Sequence, residues 1–182
     1  MSFLTDHKKK LEDLRTALQS SNRMDLKRRA NGGNTLLFVY PPEEEADYLA
    51  LIKEEFSDAY FIDVAKLFVE AIDSTGWETF KEAFHAYEND LNKLFNNKDD
   101  NCLFNLIIKE IQTSLKNNKL PFIIRSGALQ GTEIRNLNIM EHKVVLEANL
   151  PLVFFYPAIL KNNELFYLND HPASRYRCDI IN

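Results

Sequence analysis

A proline- and glutamate-rich stretch, Pro41–Glu45, directly follows the short apolar run Thr35–Tyr40. A phosphate-binding loop at this kind of junction needs glycines, free backbone N–H groups and a lysine. Proline has no N–H group, and three consecutive glutamates put negative charge where a phosphate would lie. The sequence therefore predicts no ATP-binding loop here and no ATPase activity.

A second polar stretch follows the apolar run at residues 120–125. Arg125, Ser126 and Gly127 come first, and Gly131 closes a Gly-x-x-x-Gly segment. This segment is either an anion cradle beside Arg125 or a tight turn that needs glycine at positive φ. Ser126 between a strand and a glycine is reminiscent of a nucleophile elbow, but the Gly-x-Ser-x-Gly pattern and a paired histidine are missing, which disfavours a hydrolase.

Metal-binding and acid–base residues are scattered. The four histidines, His7, His85, His142 and His171, have no second histidine or cysteine at ligand spacing. Both cysteines lie in apolar segments and have the character of small buried side chains. Asp63 ends another apolar run, where it either caps the next helix or stands as a lone acid in a crevice. We therefore predict no catalytic set, no metal and no cofactor.

These residues lie between segments that alternate in type. Buried, β-rich runs predict strands, and amphipathic stretches between them predict helices, which is the pattern of a parallel sheet with crossover helices. The predicted fold is a three-layer α/β fold: a mostly parallel sheet of five or six strands with helices on both faces, similar to a degenerate P-loop NTPase without its phosphate loop. One predicted helix covers residues 77–95. Its predicted apolar face consists of Trp77, Phe80, Phe84, Tyr87, Leu91 and either Leu94 or Phe95.

Ligands of such sheets bind beyond the carboxyl ends of the strands. We therefore expect a ligand or partner crevice formed by residues at or near strand ends. Its predicted members are Tyr40, Asp63, Arg125, Ser126, Gly127, Gly131, Tyr156, Arg175, Tyr176 and Arg177.

Charge divides the chain into unequal parts. Residues 1–33 carry a net charge of +4, residues 34–100 carry −11, and residues 101–182 carry +2. We predict a helical arm at 1–33 and a single α/β domain at 34–182. The charge split either steers a partner protein or marks solvated helix faces. The basic cluster of the arm offers at most a weak, salt-sensitive DNA contact through Arg23, Lys27, Arg28 and Arg29.

Composition bounds the class of protein. Hydrophobic residues make up 45% and charged residues 27% of 182 residues, as in ordinary globular domains. The longest apolar run, residues 151–160, is too short to span a bilayer, and the first ten residues lack the apolar core of a signal peptide. A soluble, cytoplasmic protein without membrane contact is expected, while the oligomeric state stays open.

Three blocks in the C-terminal half carry a family resemblance. They are Pro121–Gly131 (PFIIRSGALQG), Leu150–Pro157 (LPLVFFYP) and Leu165–Ile180, which contains Arg175, Tyr176 and Arg177. Their order and spacing resemble the BrxB-like family of bacteriophage exclusion (BREX) systems over residues 34–181. The chain departs from the family pattern at Ala158, where glycine is usual, and at Cys178, where alanine is usual.

The resemblance implies a non-catalytic core component of bacterial antiviral defence. BrxB-like proteins accompany a DNA methyltransferase, a large ATPase and a PglZ-like protein, and the expected partner is the PglZ-like protein. The candidate anchors of that contact are four aromatic residues: Tyr156, Phe166, Tyr167 and Tyr176. Two function classes stay open, an adaptor that assembles partner proteins and a sensor of a small ligand or nucleotide. An enzyme with an unrecognised site is a weaker third class.

Overall fold

The chain folds around a seven-stranded sheet in the computed structural model, which describes residues 3–19 and 23–182. The strands are β1 (Thr35–Tyr40), β2 (Tyr60–Asp63), β3 (Pro121–Ile124), β4 (Leu152–Lys161), β5 (Glu164–Tyr167), β6 (His171–Ala173) and β7 (Cys178–Ile181). The helices are α1 (Phe3–Leu18), α2 (Arg23–Arg29), α3 (Glu45–Glu55), α4 (Val64–Thr75), α5 (Trp77–Ala86), α6 (Asn92–Phe95), α7 (Leu103–Lys116), α8 (Asn136–Met140) and α9 (Lys143–Leu146). Short 3₁₀ helices lie at Pro42–Glu44 and Ser126–Leu129.

The main sheet has the strand order β2-β3-β4-β1-β7, and every neighbouring pair is parallel. Beyond Pro157, β4 continues as an antiparallel partner of β5, and β5 in turn pairs with β6. The predicted mostly parallel α/β fold is thus confirmed. The described part of the chain has one strand more than the upper prediction, because β6 is only three residues long and contains Pro172, too short to show a strand pattern.

Strand β1 lies at the centre of the core because every one of its six residues is buried. Leu36, Phe38 and Tyr40 face one hydrophobic cluster, which includes side chains of α1, α2 and α3. Leu37 and Val39 face a second cluster, built largely on α4, α7 and the short α6, α8 and α9. The unalternating run TLLFVY therefore reflects a strand with helices on both faces.

The helices at the start of the chain pack on the sheet. Leu14 and Leu26 are fully buried among residues of β1, β3 and β4, and Arg29 forms an ion pair of 2.8 Å with Asp179 of β7. At Gly33, just before β1, a Cβ atom would lie 2.0 Å from the carbonyl oxygen of Arg177, so the close approach of these two segments requires glycine. The predicted arm is therefore one layer of the core where it is described, while residues 1–2 and 20–22 lie outside the described part.

The predicted helix over residues 77–95 is wrong in its extent. Helix α5 ends at Ala86, a turn follows, and α6 begins at Asn92. Asn89 and Asp90 explain the interruption, because both side chains favour turns over helix interiors. The break leaves most of the aromatic face of α5 outside the core.

None of the helices in the described ranges is both long and apolar enough to cross a membrane.

Candidate functional site

The junction after β1 is filled by side chains of the protein itself. Pro41 has extended backbone dihedrals and precedes the 3₁₀ turn that leads into α3. Helix α1 lies over this junction, where Lys10 Nζ donates a hydrogen bond of 2.6 Å to the carbonyl oxygen of Val39 and His7 Nε2 lies 2.8 Å from Glu44 Oε2. Burial lowers the pKa of Lys10, and the nearby Glu44 carboxylate partly opposes that shift.

Tyr40, the last residue of β1, belongs to the same closed region. Its side chain is 1% exposed, and its hydroxyl donates a hydrogen bond of 2.6 Å to Glu45 Oε1. Burial and the Glu45 carboxylate both raise the pKa of the phenol far above its usual value. Two of the three glutamates of the Pro41–Glu45 stretch, Glu44 and Glu45, are therefore held by a histidine and a tyrosine of the chain.

Asp63 and Arg125 close the neighbouring strand ends. Arg125 follows β3 with a left-handed backbone (φ 53°), and its Nη1 donates a hydrogen bond of 2.7 Å to Asp63 Oδ2. The other oxygen of Asp63 accepts a bond of 3.3 Å from the backbone N–H of Lys66 at the start of α4. Asp63 thus acts as a helix cap and as the partner of Arg125 at once.

Ser126 and the following glycines form a turn that buried hydrogen bonds hold in place. The Ser126 hydroxyl is buried and donates a hydrogen bond of 2.7 Å to the carbonyl oxygen of Phe155, while the Ser126 carbonyl accepts one of 2.7 Å from the Tyr167 hydroxyl. Gly131 has a φ of +79°, which favours glycine. Gly127, inside the 3₁₀ turn, lies next to Pro157. These contacts correspond to the tight turn, one of the two alternatives that the sequence leaves open for this segment.

A cavity of about 610 Å³ opens beside the parallel part of β4. Its walls come from the loop after β3, the start of α8 and the segment around β6, and Tyr156 lies in its lining. Tyr156 is 4% exposed and stacks on Tyr167 with ring centroids 4.8 Å apart. The residues that line it are Leu129, Gln130, Glu133, Ile134, Arg135, Asn136, Leu137, Tyr156, Tyr167, His171, Pro172, Ala173 and Ser174.

Arg175, Tyr176 and Arg177 lie elsewhere. They precede β7, which runs parallel to β1, and Arg177 lies next to Gly33 at the amino ends of the parallel strands. Arg175 directly follows Ser174, which lines the cavity at Tyr156. Arg177 Nε donates a bond of 3.0 Å to Glu141, and its guanidinium lies 5.3 Å from the ring of the half-exposed Tyr176. Arg175 bonds to Asn163. The structure thus brings Tyr40, Asp63, the 125–131 turn and Tyr156 to the carboxyl ends of the parallel strands and Arg177 to their amino ends.

Two of the four basic residues predicted to contact DNA form ion pairs within the protein. Arg28 pairs with Asp25 at 3.2 Å and Arg29 with Asp179, while Lys27 is exposed. Arg23 begins α2, and its side chain lies outside the described part.

Sequence reasoning missed an exposed aromatic surface on α5. Trp77, Phe80, Phe84 and Tyr87 are spaced along one side of this helix and its cap, and we call them the aromatic stripe. Trp77 is 58% exposed, Phe84 38% and Tyr87 43%, although the sequence predicted them only as the apolar face of a longer helix. Phe80 is half-buried and contacts both Trp77 and Phe84, with ring centroids 6.2 Å apart in each pair. The only sequence signal was the cluster of acids around them.

Within the described ranges, no group of three or more His, Cys, Asp or Glu side chains is arranged to hold a metal ion. Of the four predicted aromatic anchors, Tyr156 and Tyr167 are core residues, Phe166 is half-buried and Tyr176 is exposed.

Comparisons of the chain with protein-family models, with curated proteins and with solved structures find no match.

Proposed function

We propose that this protein is a non-catalytic assembly component of a BREX-type defence system and that it works by binding a partner protein. The resemblance of residues 34–181 to the BrxB-like family supports the system. The aromatic stripe carries the binding role, because large aromatic side chains that stay exposed on one helix are typical anchors of protein interfaces.

The charges around the aromatic stripe define the chemistry of the partner. Glu78, Glu82 and Glu88 are exposed on or next to α5, and Lys81 is paired with Glu78 at 2.7 Å. This segment lies in the part of the chain with a net charge of −11. The complementary surface has apolar side chains flanked by lysine or arginine. A PglZ-like protein with such a surface is the partner that the resemblance implies.

A groove beside the aromatic stripe favours docking over simple exposure. Its volume is about 330 Å³, and its lining includes Phe80, Ala83 and Tyr87 of the stripe region together with Phe95. A partner side chain inserted here would contact aromatic rings on one side and the core edge on the other. Interface anchors of this kind contribute most of the binding free energy when water is excluded around them.

The test is capture of the proteins encoded beside this gene by a tagged copy, from a host with a complete defence island. Trp77→Ala and Phe84→Ala together should lower capture at least about tenfold, because each removes a large interface side chain. Both positions are exposed, so the circular dichroism melt should not change. Tyr176→Ala is the matched control, because it removes a similarly exposed aromatic residue that lies outside α5.

Two outcomes would reject parts of the proposal. Loss of capture with Tyr176→Ala, or with charge reversal at Arg175 and Arg177, and not with the α5 variant would move the docking surface to the segment that precedes β7. No capture at low salt, or phage exclusion that survives deletion of the gene in an active system, would reject the adaptor role itself.

A further inference from the structure

The cavity beside β4 contains an unused polar group. Tyr156 is almost fully buried and lines the cavity, yet its hydroxyl forms no hydrogen bond with any residue of the described ranges. The hydroxyl is not among the side-chain atoms that are both fully buried and without a partner, so solvent reaches it. A hydroxyl that solvent reaches, on a residue lining a cavity large enough for an organic molecule, can bond to a ligand.

The walls around Tyr156 are held in place by the protein's own contacts. Gln130 Nε2 lies 3.0 Å from His171 Nε2, and Asn136 Nδ2 donates a bond of 2.8 Å to the carbonyl oxygen of Ser174. With its NH₂ group directed at His171, Gln130 keeps a carbonyl oxygen that no described residue engages. The cavity therefore presents a hydroxyl and an amide oxygen between apolar walls such as Leu129 and Ile134.

The rim of the cavity carries one unpaired positive charge. Arg135 is exposed there and makes no ion pair with the residues that the structure describes. Glu133, two positions earlier, keeps its negative charge, but its carboxylate accepts a hydrogen bond of 2.9 Å from the backbone N–H of Asn92 and forms no ion pair with Arg135. One free guanidinium matches one anionic group, and guanidinium is well suited to phosphate.

We infer that this cavity binds a nucleoside monophosphate, with its base between the apolar walls near Tyr156 and Gln130 and its phosphate at Arg135. A flat heteroaromatic base has both an apolar face and hydrogen-bonding edges, which suits walls of this composition. A nucleoside triphosphate is disfavoured, since the lining offers one arginine, no lysine and an acid for about four negative charges. The inference goes beyond the adaptor role and does not depend on it.

Calorimetry on the full chain tests the inference, with AMP, GMP, CMP and UMP as probes. At least one should bind with a Kd below about 100 µM, a usual range for a metabolite site. The matching nucleoside should bind at least about tenfold more weakly, because it lacks the group that pairs with arginine. ATP with magnesium should give no heat, and inorganic phosphate alone should not compete.

Two substitutions connect the binding to the cavity. Tyr156→Phe should weaken the monophosphate about three- to tenfold, the loss of one hydrogen bond, and Arg135→Gln at least about tenfold. Arg28→Gln is the matched control, because it removes an exposed guanidinium of α2, a helix that packs on the opposite face of the sheet from Tyr156. A thermal melt of each variant separates lost binding from lost folding.

Several results would overturn the inference. No heat from any of the four monophosphates at 1 mM would do so, as would equal binding by inorganic phosphate alone. Unchanged affinity in both Tyr156→Phe and Arg135→Gln would place the bound nucleotide outside this cavity. None of these results affects the capture experiment, so the two proposals fail separately.

Discussion

Tyr40 and Tyr156 occupy similar positions on neighbouring strands but differ in how their hydroxyl groups are used. In the β1–β4 pair, Val39 is the register partner of Tyr156, and Tyr40 that of Pro157. Both phenols are buried, at 1% and 4% exposure, and they lie in the two hydrophobic clusters on opposite faces of the sheet. Tyr40 donates a hydrogen bond to Glu45, whereas no described residue pairs with the hydroxyl of Tyr156.

The difference arises from what covers each strand end. On the Tyr40 side, α1 places His7 and Lys10 over the junction, and both contact the β1 end or the turn after it. On the Tyr156 side, the short helix α8 and strand β6 leave a cavity. Burial of the residue alone therefore does not show whether its hydroxyl is bonded within the protein. The two tyrosines differ in whether that hydroxyl has a partner among the described residues.

The largest expected effect on stability comes from disturbing helix α1, which packs over Tyr40. Leu14 of α1 is fully buried in the cluster that contains Tyr40, so Leu14→Ala should lower the free energy of unfolding by about 2–5 kcal/mol. Urea denaturation measures this, with Val69→Ala as the control, because Val69 is mostly exposed and its loss should change the free energy by less than about 0.5 kcal/mol. Equal, small effects of both variants would show that α1 is a separate arm.

The sequence predicted the sheet well because its strands are buried on both faces. Runs such as TLLFVY and PLVFFY are apolar without alternation, which is typical of central parallel strands, and the helices between them require crossovers. Asp63 and Arg125 were placed correctly at one edge for the same reason, since carboxyl ends of parallel strands share an edge.

The parts that the sequence could not predict depend on packing between distant segments. Lys10 looked like a surface residue among three lysines, and its contact with Val39 requires knowing that α1 crosses the end of β1. The aromatic stripe had the helical spacing of a core face, and only the break after Ala86 leaves it exposed. The cavity combines Arg135 with His171, which are far apart in sequence and belong to short, irregular segments.

A smaller effect is expected from removing the hydroxyl of Tyr40 itself. Tyr40→Phe leaves the ring in place but ends the hydrogen bond to the Glu45 carboxylate, and such charge-assisted bonds contribute about 1.5–3 kcal/mol. Urea denaturation at pH 7 should show a loss in that range. A change below about 0.5 kcal/mol would mean that water replaces the tyrosine and that the junction is not closed.

The smallest effect at neutral pH is expected for Tyr156→Phe, and its effect on stability should grow as the pH rises above 10. The substitution removes no hydrogen bond within the protein, so unfolding at pH 7 should change by less than about 0.5 kcal/mol. Burial raises the pKa of the Tyr156 phenol well above the value of about 10 that applies in the unfolded chain.

The sign of the alkaline effect follows from these two pKa values. Below pH 10 both states keep the phenolic proton, and stability does not depend on it. Above pH 10 the unfolded chain releases the proton while the folded chain retains it, so each such tyrosine lowers the free energy of unfolding by up to about 1.4 kcal/mol per pH unit. Tyr156→Phe should therefore become more stable than the unmodified chain as the pH rises from 10 to 11.

Tyr40→Phe serves as the matched control, because its phenol also has a raised pKa and should give the same alkaline gain. Above pH 10 the free energies of unfolding of the two variants should therefore change equally with pH. At pH 7 they should differ by the contribution of the hydrogen bond to Glu45. Urea midpoints at pH 7, 10 and 11 measure both differences. A loss at pH 7 in Tyr156→Phe comparable to that in Tyr40→Phe would mean that the Tyr156 hydroxyl already has a partner in solution. The proposed difference between the end of β1 at Tyr40, which the protein's own side chains fill, and the region of β4 at Tyr156, which borders a cavity, would then be wrong.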